Sequence, residues 1–430
     1  MMVKAPQANT GAGLDEFPEA SPYRDPIPAF GLFNLMSQRD HNRKAGPRTR
    51  SIHVGRHPHE QFGFVNTPVY RGSTVLSPTM DALLNRDDAR FVYATKGTPT
   101  SEALEAGWSE IAGAAGTVLV GSGLAAVALS LMAALKAGDH LLMTDSVYRP
   151  TRHFCETVLK RYGVETTYYD PMIGGVGIES LMRPNTAAVF TEAPGSQSFE
   201  VQDIPGIAAV AKKHGALTIM DNTWATPFFF PPHERGVDIA LEAGTKYLGG
   251  HSDLLLGVVS ANERAWKKLR STYDAFAMCA GPDDMFLALR GLRTMHLRLK
   301  EAEKQGLAMA HWFASRPEVK TVLHPALPSC PGHEFWKRDF LGSSGLFSVI
   351  LNPVPQKAVA AMLDGLSYFG MGYSWGGFES LVVPFDCADY RTATQWNPGG
   401  PGLRFQIGFE DLEDLQADLD AGFERLRAAS

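Results

Sequence analysis

From residue 117 onward, short aliphatic or β-branched runs alternate with stretches whose apolar positions recur at helical spacing. The runs 117–120, 140–144, 165–169, 187–191, 217–220, 237–241 and 254–260 predict strands. Between and after them the spacing predicts helices over 123–136, 150–161, 178–182, 204–214 and 261–273. Strands separated by helices of about a dozen residues imply right-handed crossovers and a mainly parallel sheet, here of seven strands. The stretch 283–315 is helical throughout, interrupted only by Gly291 and Gly306, and is expected to join two domains. Beyond it the pattern is α+β, with strands near 319–323, 346–351 and 403–407 and helices near 355–366 and 411–426. The expected division is an N-terminal arm over 1–60, a large α/β domain over 61–290 and a smaller C-terminal domain over 291–430.

The arm is punctuated by Pro6, Pro18, Pro22, Pro26, Pro28 and Pro47, each of which breaks a helix, and the run from Arg39 to Arg50 is mostly charged. These features predict an irregular, solvated segment through about residue 50. Residues 62–77 read as extended and 81–88 as a short helix. The polar loop Tyr93-Ala-Thr-Lys-Gly-Thr-Pro-Thr100 follows, then a helix from Ser101 to the region of Gly113.

Composition narrows the classes. With 44% hydrophobic residues, a net charge of −6 and no basic stripe, the chain can build a sizeable core and is not expected to bind nucleic acid. Four widely separated cysteines fit a reducing compartment, and 13 histidines without metal-ligand spacing disfavour a metal site. The uncharged stretch 117–135 is split by Gly121-Ser-Gly123 into strand, turn and helix, so no membrane span is expected. No apolar leader core opens the chain, and a cytoplasmic location is expected.

In open parallel sheets, ligands bind where strands hand over to the next loop. The first strand ends in Gly121-Ser122-Gly123-Leu124, where small residues at a helix start expose backbone N–H groups to an anion. The next ends near Tyr148, an aromatic able to stack on a flat heterocycle, and a later one ends in Asp221, a buried acid that needs a cationic partner. Lys246 sits in Glu242-Ala-Gly-Thr-Lys-Tyr-Leu-Gly-Gly-His-Ser-Asp253, between two buried strands. Desolvation there favours the neutral amine, which condenses with a carbonyl. Anion seat, stacking ring, carboxylate and amine on consecutive strand ends are the contacts that pyridoxal 5'-phosphate requires.

The sequence resembles the Cys/Met-metabolism group of pyridoxal-phosphate enzymes, from about Arg50 to the C-terminus. The resemblance is carried by Met220-Asp-Asn-Thr-Trp224, by the Lys246 motif, and by Gly332-His-Glu-Phe-Trp-Lys-Arg-Asp-Phe340 with Gly342-Ser-Ser-Gly-Leu-Phe-Ser348. Gly402-Leu-Arg-Phe-Gln-Ile-Gly-Phe-Glu-Asp411 adds to it. Tyr373-Ser-Trp-Gly-Gly-Phe-Glu-Ser380 and Glu192-Ala-Pro-Gly-Ser196 point to the β-lyase branch.

This resemblance implies an aspartate aminotransferase-like (fold type I) α/β architecture and pyridoxal 5'-phosphate as cofactor. The implied activity is a carbon–sulfur lyase cleaving L-cystathionine to L-homocysteine, pyruvate and ammonia in the transsulfuration steps of methionine biosynthesis. The alternatives are a broader cysteine-S-conjugate or cystine β-lyase, a γ-lyase, or a regulatory protein retaining the fold.

Residue by residue, Lys246 would hold the cofactor and move the Cα proton. Asp221 would face the ring nitrogen, Tyr148 would stack on the ring, and Ser122, Gly123, Leu124 and Thr245 would hold the phosphate. Arg404 would bind the substrate α-carboxylate beside Ser374 and Trp375. Tyr93 would reach the phosphate from a neighbouring subunit, in a homotetramer built as a dimer of dimers. Two positions depart from the group's pattern. Its Tyr-x-Arg stands here as Tyr93-Ala94-Thr95, and Ala243 stands where many relatives carry Ser.

Overall fold

The computed structural model describes residues 45–86 and 89–430. The N-terminal arm reading for residues 1–44 lies outside the described residues, and Gly46–Ser430 forms one compact unit. At its start Pro47 does not break a helix but opens one, Pro47–His53, at the first-turn position where a missing N–H leaves no bond unmade.

Seven strands form the larger sheet: β1 Gly116–Val120, β2 His140–Thr144, β3 Glu165–Tyr169, β4 Thr186–Glu192, β5 Leu217–Asp221, β6 Ile239–Ala243 and β7 Gly257–Ala261. Their order is β1-β7-β6-β5-β4-β2-β3, and only β7 runs against its neighbours. The sheet is thus mainly parallel, and β1, β2 and β7 are buried along their whole length, as strands covered on both faces must be.

Two strands begin later than the apolar runs suggest. Val237 and Asp238 are used to close the preceding loop, with Val237 N–H bonded to Pro232 O and the Asp238 carboxylate accepting from Thr218 N–H. Leu254–Leu256 are held by the Lys246 turn instead of the ladder, since Leu256 N–H donates to Thr245 Oγ1. The helix expected over 150–161 is a short α-turn, Arg149–Phe154, continued by the wider π-helical turn Cys155–Leu159.

The smaller sheet contains β8 Val319–Leu323, β9 Leu346–Leu351, β10 Leu381–Phe385 and β11 Gly402–Gln406, ordered β10-β11-β9-β8 and antiparallel throughout. The sequence pattern missed β10. Pro384 argues against a strand, yet β10 lies at the sheet edge, where a residue without an N–H is tolerated.

The 33-residue helix Pro282–Ala314 runs between the two sheets in the chain. Its glycines are points of contact and not breaks: a Cβ on Gly291 would lie 2.1 Å from Leu248 O, in the turn that carries Lys246. The segment 62–77, expected to be extended, opens on a left-handed turn at Phe62-Gly63 and joins no ladder. Its one recorded pairing is the isolated bridge Thr74–Tyr93, and Phe62 and Leu76 are 97% and 88% exposed.

Candidate active site

The β6–β7 connection is a tight turn closed by its own backbone, with Lys246 N–H bonded to Ala243 O (2.9 Å) and Gly250 N–H to Lys246 O (2.7 Å). Arg298, from the long helix, donates to Tyr247 O (2.7 Å), Leu248 O and Gly291 O, fixing the turn from behind. No sequence signal marks Arg298 for this task. The fixed turn holds the lysine against the cavity wall, where its Nζ donates to Ser374 Oγ at 2.8 Å and lies 5.4 Å from the Trp375 ring centre. Burial lowers the Lys246 ammonium to about 8, with the Arg404 charge adding to the shift and Asp221 opposing it. At neutral pH the free, nucleophilic amine is therefore a far larger share of the group than in an ordinary lysine.

Lys246 opens into a cavity of about 280 Å³ at the ends of β1, β2, β4, β5 and β6. Ser122, Gly123, Leu124, Tyr148, Asp221, Thr245, Trp375 and Arg404 line it with Lys246, so the structure brings together nine of the positions singled out from sequence. Ser374 lines the adjoining hollow and reaches the group through its bond to Lys246. Tyr93 stands apart from this chain's cavity, half exposed and paired with Thr74.

The helix Gly123–Ala134 starts at the end of β1, and Ser122 caps it by accepting from Ala125 N–H (3.1 Å). The amides of Gly123 and Leu124 are left without helical acceptors, and both residues line the cavity. Gly123 has no room for a side chain, because a Cβ there would come within 2.7 Å of the Ala243 methyl. The Thr245 hydroxyl is engaged with Leu256, accepting from its N–H at 3.2 Å.

At the other end of the cavity, Asp221 accepts twice from Thr223, from the hydroxyl (2.6 Å) and the amide (3.0 Å). Burial raises the Asp221 carboxyl, with the Thr223 bonds and Lys246 opposing. No ion pair is formed by Asp221 among the described residues, so a cation there would relieve its desolvation. Thr223 was not identified from sequence, although a hydroxyl two residues past a strand-end acid is a recognisable local cap.

Glu192 was also missed. It closes β4 one residue beyond the predicted strand, lines the cavity, and accepts from Tyr148 N–H at 2.8 Å. Arg404, 8% exposed in the middle of β11, donates to Tyr373 O at 3.1 Å, and burial lowers its guanidinium to about 10.

These groups fit pyridoxal 5'-phosphate as a set. Free amides at a helix start suit the phosphate, the half-exposed Tyr148 the ring face, Asp221 without an ion pair the ring nitrogen and the readily deprotonated Lys246 amine the aldehyde. Among the described residues no cluster of metal-ligating side chains is present.

The comparisons agree with this chemistry. Cystathionine β-lyase MetC of Escherichia coli is 40% identical over 388 residues, covering 88% of this chain and 98% of that protein. A Rhizobium johnstonii protein that carries the provisional name cystathionine β-lyase is 52% identical over 383 residues, covering 88% and 96%. The crystal structure of cystathionine γ-synthase from Xanthomonas oryzae pv. oryzae, in complex with aminoacrylate and cysteine, superposes with a TM-score of 0.82. It is 29% identical and covers 90% of this chain and 100% of that one. Residues 48–424 match the family described as Cys/Met metabolism PLP-dependent enzyme, and with the aspartate aminotransferase-like fold and the cavity in place, the chain belongs to that family.

Proposed function

We propose that this chain is a pyridoxal-phosphate-dependent carbon–sulfur β-lyase that cleaves L-cystathionine to L-homocysteine, pyruvate and ammonia. The observation that carries the reading is the Lys246 amine, held 2.8 Å from Ser374 Oγ in a cavity shared with Asp221 and Arg404. When bound, pyridoxal phosphate supplies an electron sink for the charge left on Cα as its proton departs.

The chain's residues supply the rest. The Arg404 fork receives the substrate α-carboxylate as a bidentate pair, its position set by the Tyr373 carbonyl. This orients Cα toward Lys246, whose amine takes the proton. Ser374 holds that amine in place and Trp375 closes the wall beside it. Asp221, bonded twice by Thr223, keeps a negative charge at the ring nitrogen. Tyr148 covers the ring face, and the Gly123 and Leu124 amides take the phosphate.

The active unit is a homo-oligomer, a dimer of dimers, with Tyr93 delivered to the neighbouring cavity. The exposed large apolar side chains of Phe62, Phe64, Leu76, Met80 and Leu84, all within one segment of the chain, support this, because so much exposed apolar area calls for a partner. The large and C-terminal domains are assigned to 61–290 and 291–430. The setting is cytoplasmic methionine biosynthesis, and among the described residues no helix is long and apolar enough to cross a membrane.

In this assembly Thr95 stands where the family's pattern has an arginine beside the phosphate. Lys96 does not stand in freely, since its ammonium lies 3.9 Å from Asp274 and its carbonyl is held by Arg270. Thr95→Arg is therefore expected to tighten pyridoxal phosphate about tenfold, the scale of one added charged hydrogen bond. Absorbance titration of the apoprotein measures it, and an unchanged affinity would show that the phosphate is gripped elsewhere. For the function itself, kcat/KM for cystathionine is expected to exceed that for cystine and cysteine at least several-fold; the reverse order would make the chain a broader cysteine-conjugate lyase.

A further inference from the structure

The cavity holds a carboxyl that the chemistry above leaves without a task. Glu192 is the last residue of β4 and pairs in register with Asp221, the last residue of the adjacent parallel strand β5. In-register neighbours on parallel strands project to the same face about 4.8 Å apart, and both residues line the same cavity. Two carboxylates so close, in a desolvated site, do not both ionise unless a cation lies against each of them. A cationic ring nitrogen answers Asp221. Glu192 forms no ion pair among the described residues, and its one recorded side-chain contact is the amide of Tyr148, which donates to Oε2 at 2.8 Å.

The Glu192 backbone is itself braced. Its carbonyl accepts from Gln202 Nε2 (2.7 Å), and Gln202 Oε1 in turn accepts from the buried Tyr169 hydroxyl (2.9 Å). Tyr148 stands just before the short helix Arg149–Phe154, and no side chain of its own caps that helix. The Tyr148 carbonyl is held by the amides of Thr151 and Arg152 in that helix, and the tie from Glu192 fastens the Tyr148 amide to the end of β4. Burial, with the Asp221 charge second, holds the Glu192 carboxyl well above the usual carboxylate range, and the Tyr148 amide opposes this.

We propose that Glu192 is a positioning residue for the cofactor: as an uncharged carboxylic acid it fastens Tyr148 over the ring and leaves Asp221 the lone anion at the pyridine end. This rests on the cavity being the pyridoxal phosphate seat. The group must accept one hydrogen bond and carry no charge, so an amide of the same length satisfies it and a methyl does not.

The test compares full-length wild type, Glu192→Gln and Glu192→Ala by three readouts: affinity of the apoprotein for pyridoxal phosphate, the visible absorbance of the bound cofactor, and its induced circular dichroism. Glu192→Gln is expected to match wild type within about twofold in affinity and in both spectra. Glu192→Ala is expected to weaken binding about tenfold, the scale of one net hydrogen bond, and to reduce the induced dichroism as the stacked ring loses its orientation. If Glu192→Gln loses affinity and dichroism, a charge is required and the proposal is overturned, even should Glu192→Ala fail to fold. A well-folded Glu192→Ala with wild-type spectra and affinity overturns it as well. Failure of the underlying reading is distinct, because wild type itself would then bind no pyridoxal phosphate.

Discussion

Lys246→Ala is expected to lower turnover by about 10⁴-fold, since it removes both the covalent hold on the cofactor and the base that moves the Cα proton. The same change is expected to stabilise the apoprotein at neutral pH. The unfolded chain keeps the ordinary lysine value of 10.5, whereas burial beside Arg404 holds the folded one at about 8. Over that interval the unfolded state binds the proton more strongly, so folding is opposed. The cost is present in full below pH 8 and fades as pH rises toward 10.5. Its upper bound is about 3 kcal/mol, and solvent in the open cavity reduces it to about 1–2 kcal/mol. Urea unfolding of both apoproteins should show the alanine variant more stable at pH 7, with the difference shrinking near pH 10. A variant equally destabilised at both pH values would mean that Lys246 is an ordinary packed side chain.

Asp221→Asn is expected to cost about 10³-fold in turnover while the protein still takes up cofactor. The asparagine can accept from Thr223 but cannot supply a full negative charge where positive charge is held during reaction, and charge stabilisation of this kind is worth about 10²–10³-fold per group. The structure sharpens this expectation. Two hydrogen bonds from Thr223 and the Lys246 charge favour the ionised carboxylate, burial outweighs them and raises the group, and no ion pair completes it among the described residues. Steady-state kinetics with the absorbance spectrum checks it. Wild-type turnover in a cofactor-loaded Asp221→Asn would remove Asp221 from the mechanism.

Much of the fold was legible because the sheet is buried on both faces, which leaves unbroken aliphatic runs at β1, β2 and β4 that helical spacing interrupts. What escaped has specific causes. β10 carries a proline that an edge position tolerates, and Pro47 starts a helix instead of stopping one. The runs at 237–241 and 254–260 begin early because apolar residues there close turns and do not extend the ladder. In the site, the residues at strand ends (Gly123, Tyr148, Asp221) and the lysine in its turn could be found from pattern, since topology alone brings them together. Arg404 and Ser374 could not, because they arrive from the smaller sheet and its approach, more than a hundred residues later. Motif resemblance placed those two. Glu192 and Arg298 act on other site residues through hydrogen bonds to backbone groups far away in the chain, which tertiary geometry fixes, whereas Thr223 is a local cap of Asp221 that the sequence offered and the strand pattern passed over.

This cavity is expected to break the bond between sulfur and the β-carbon of the bound amino acid. Purified protein supplied with pyridoxal phosphate and L-cystathionine should release pyruvate and homocysteine in equal amounts, measured together in one reaction. Release of 2-oxobutyrate and cysteine as the main products would place the cut on the other side of sulfur and make the chain a γ-lyase.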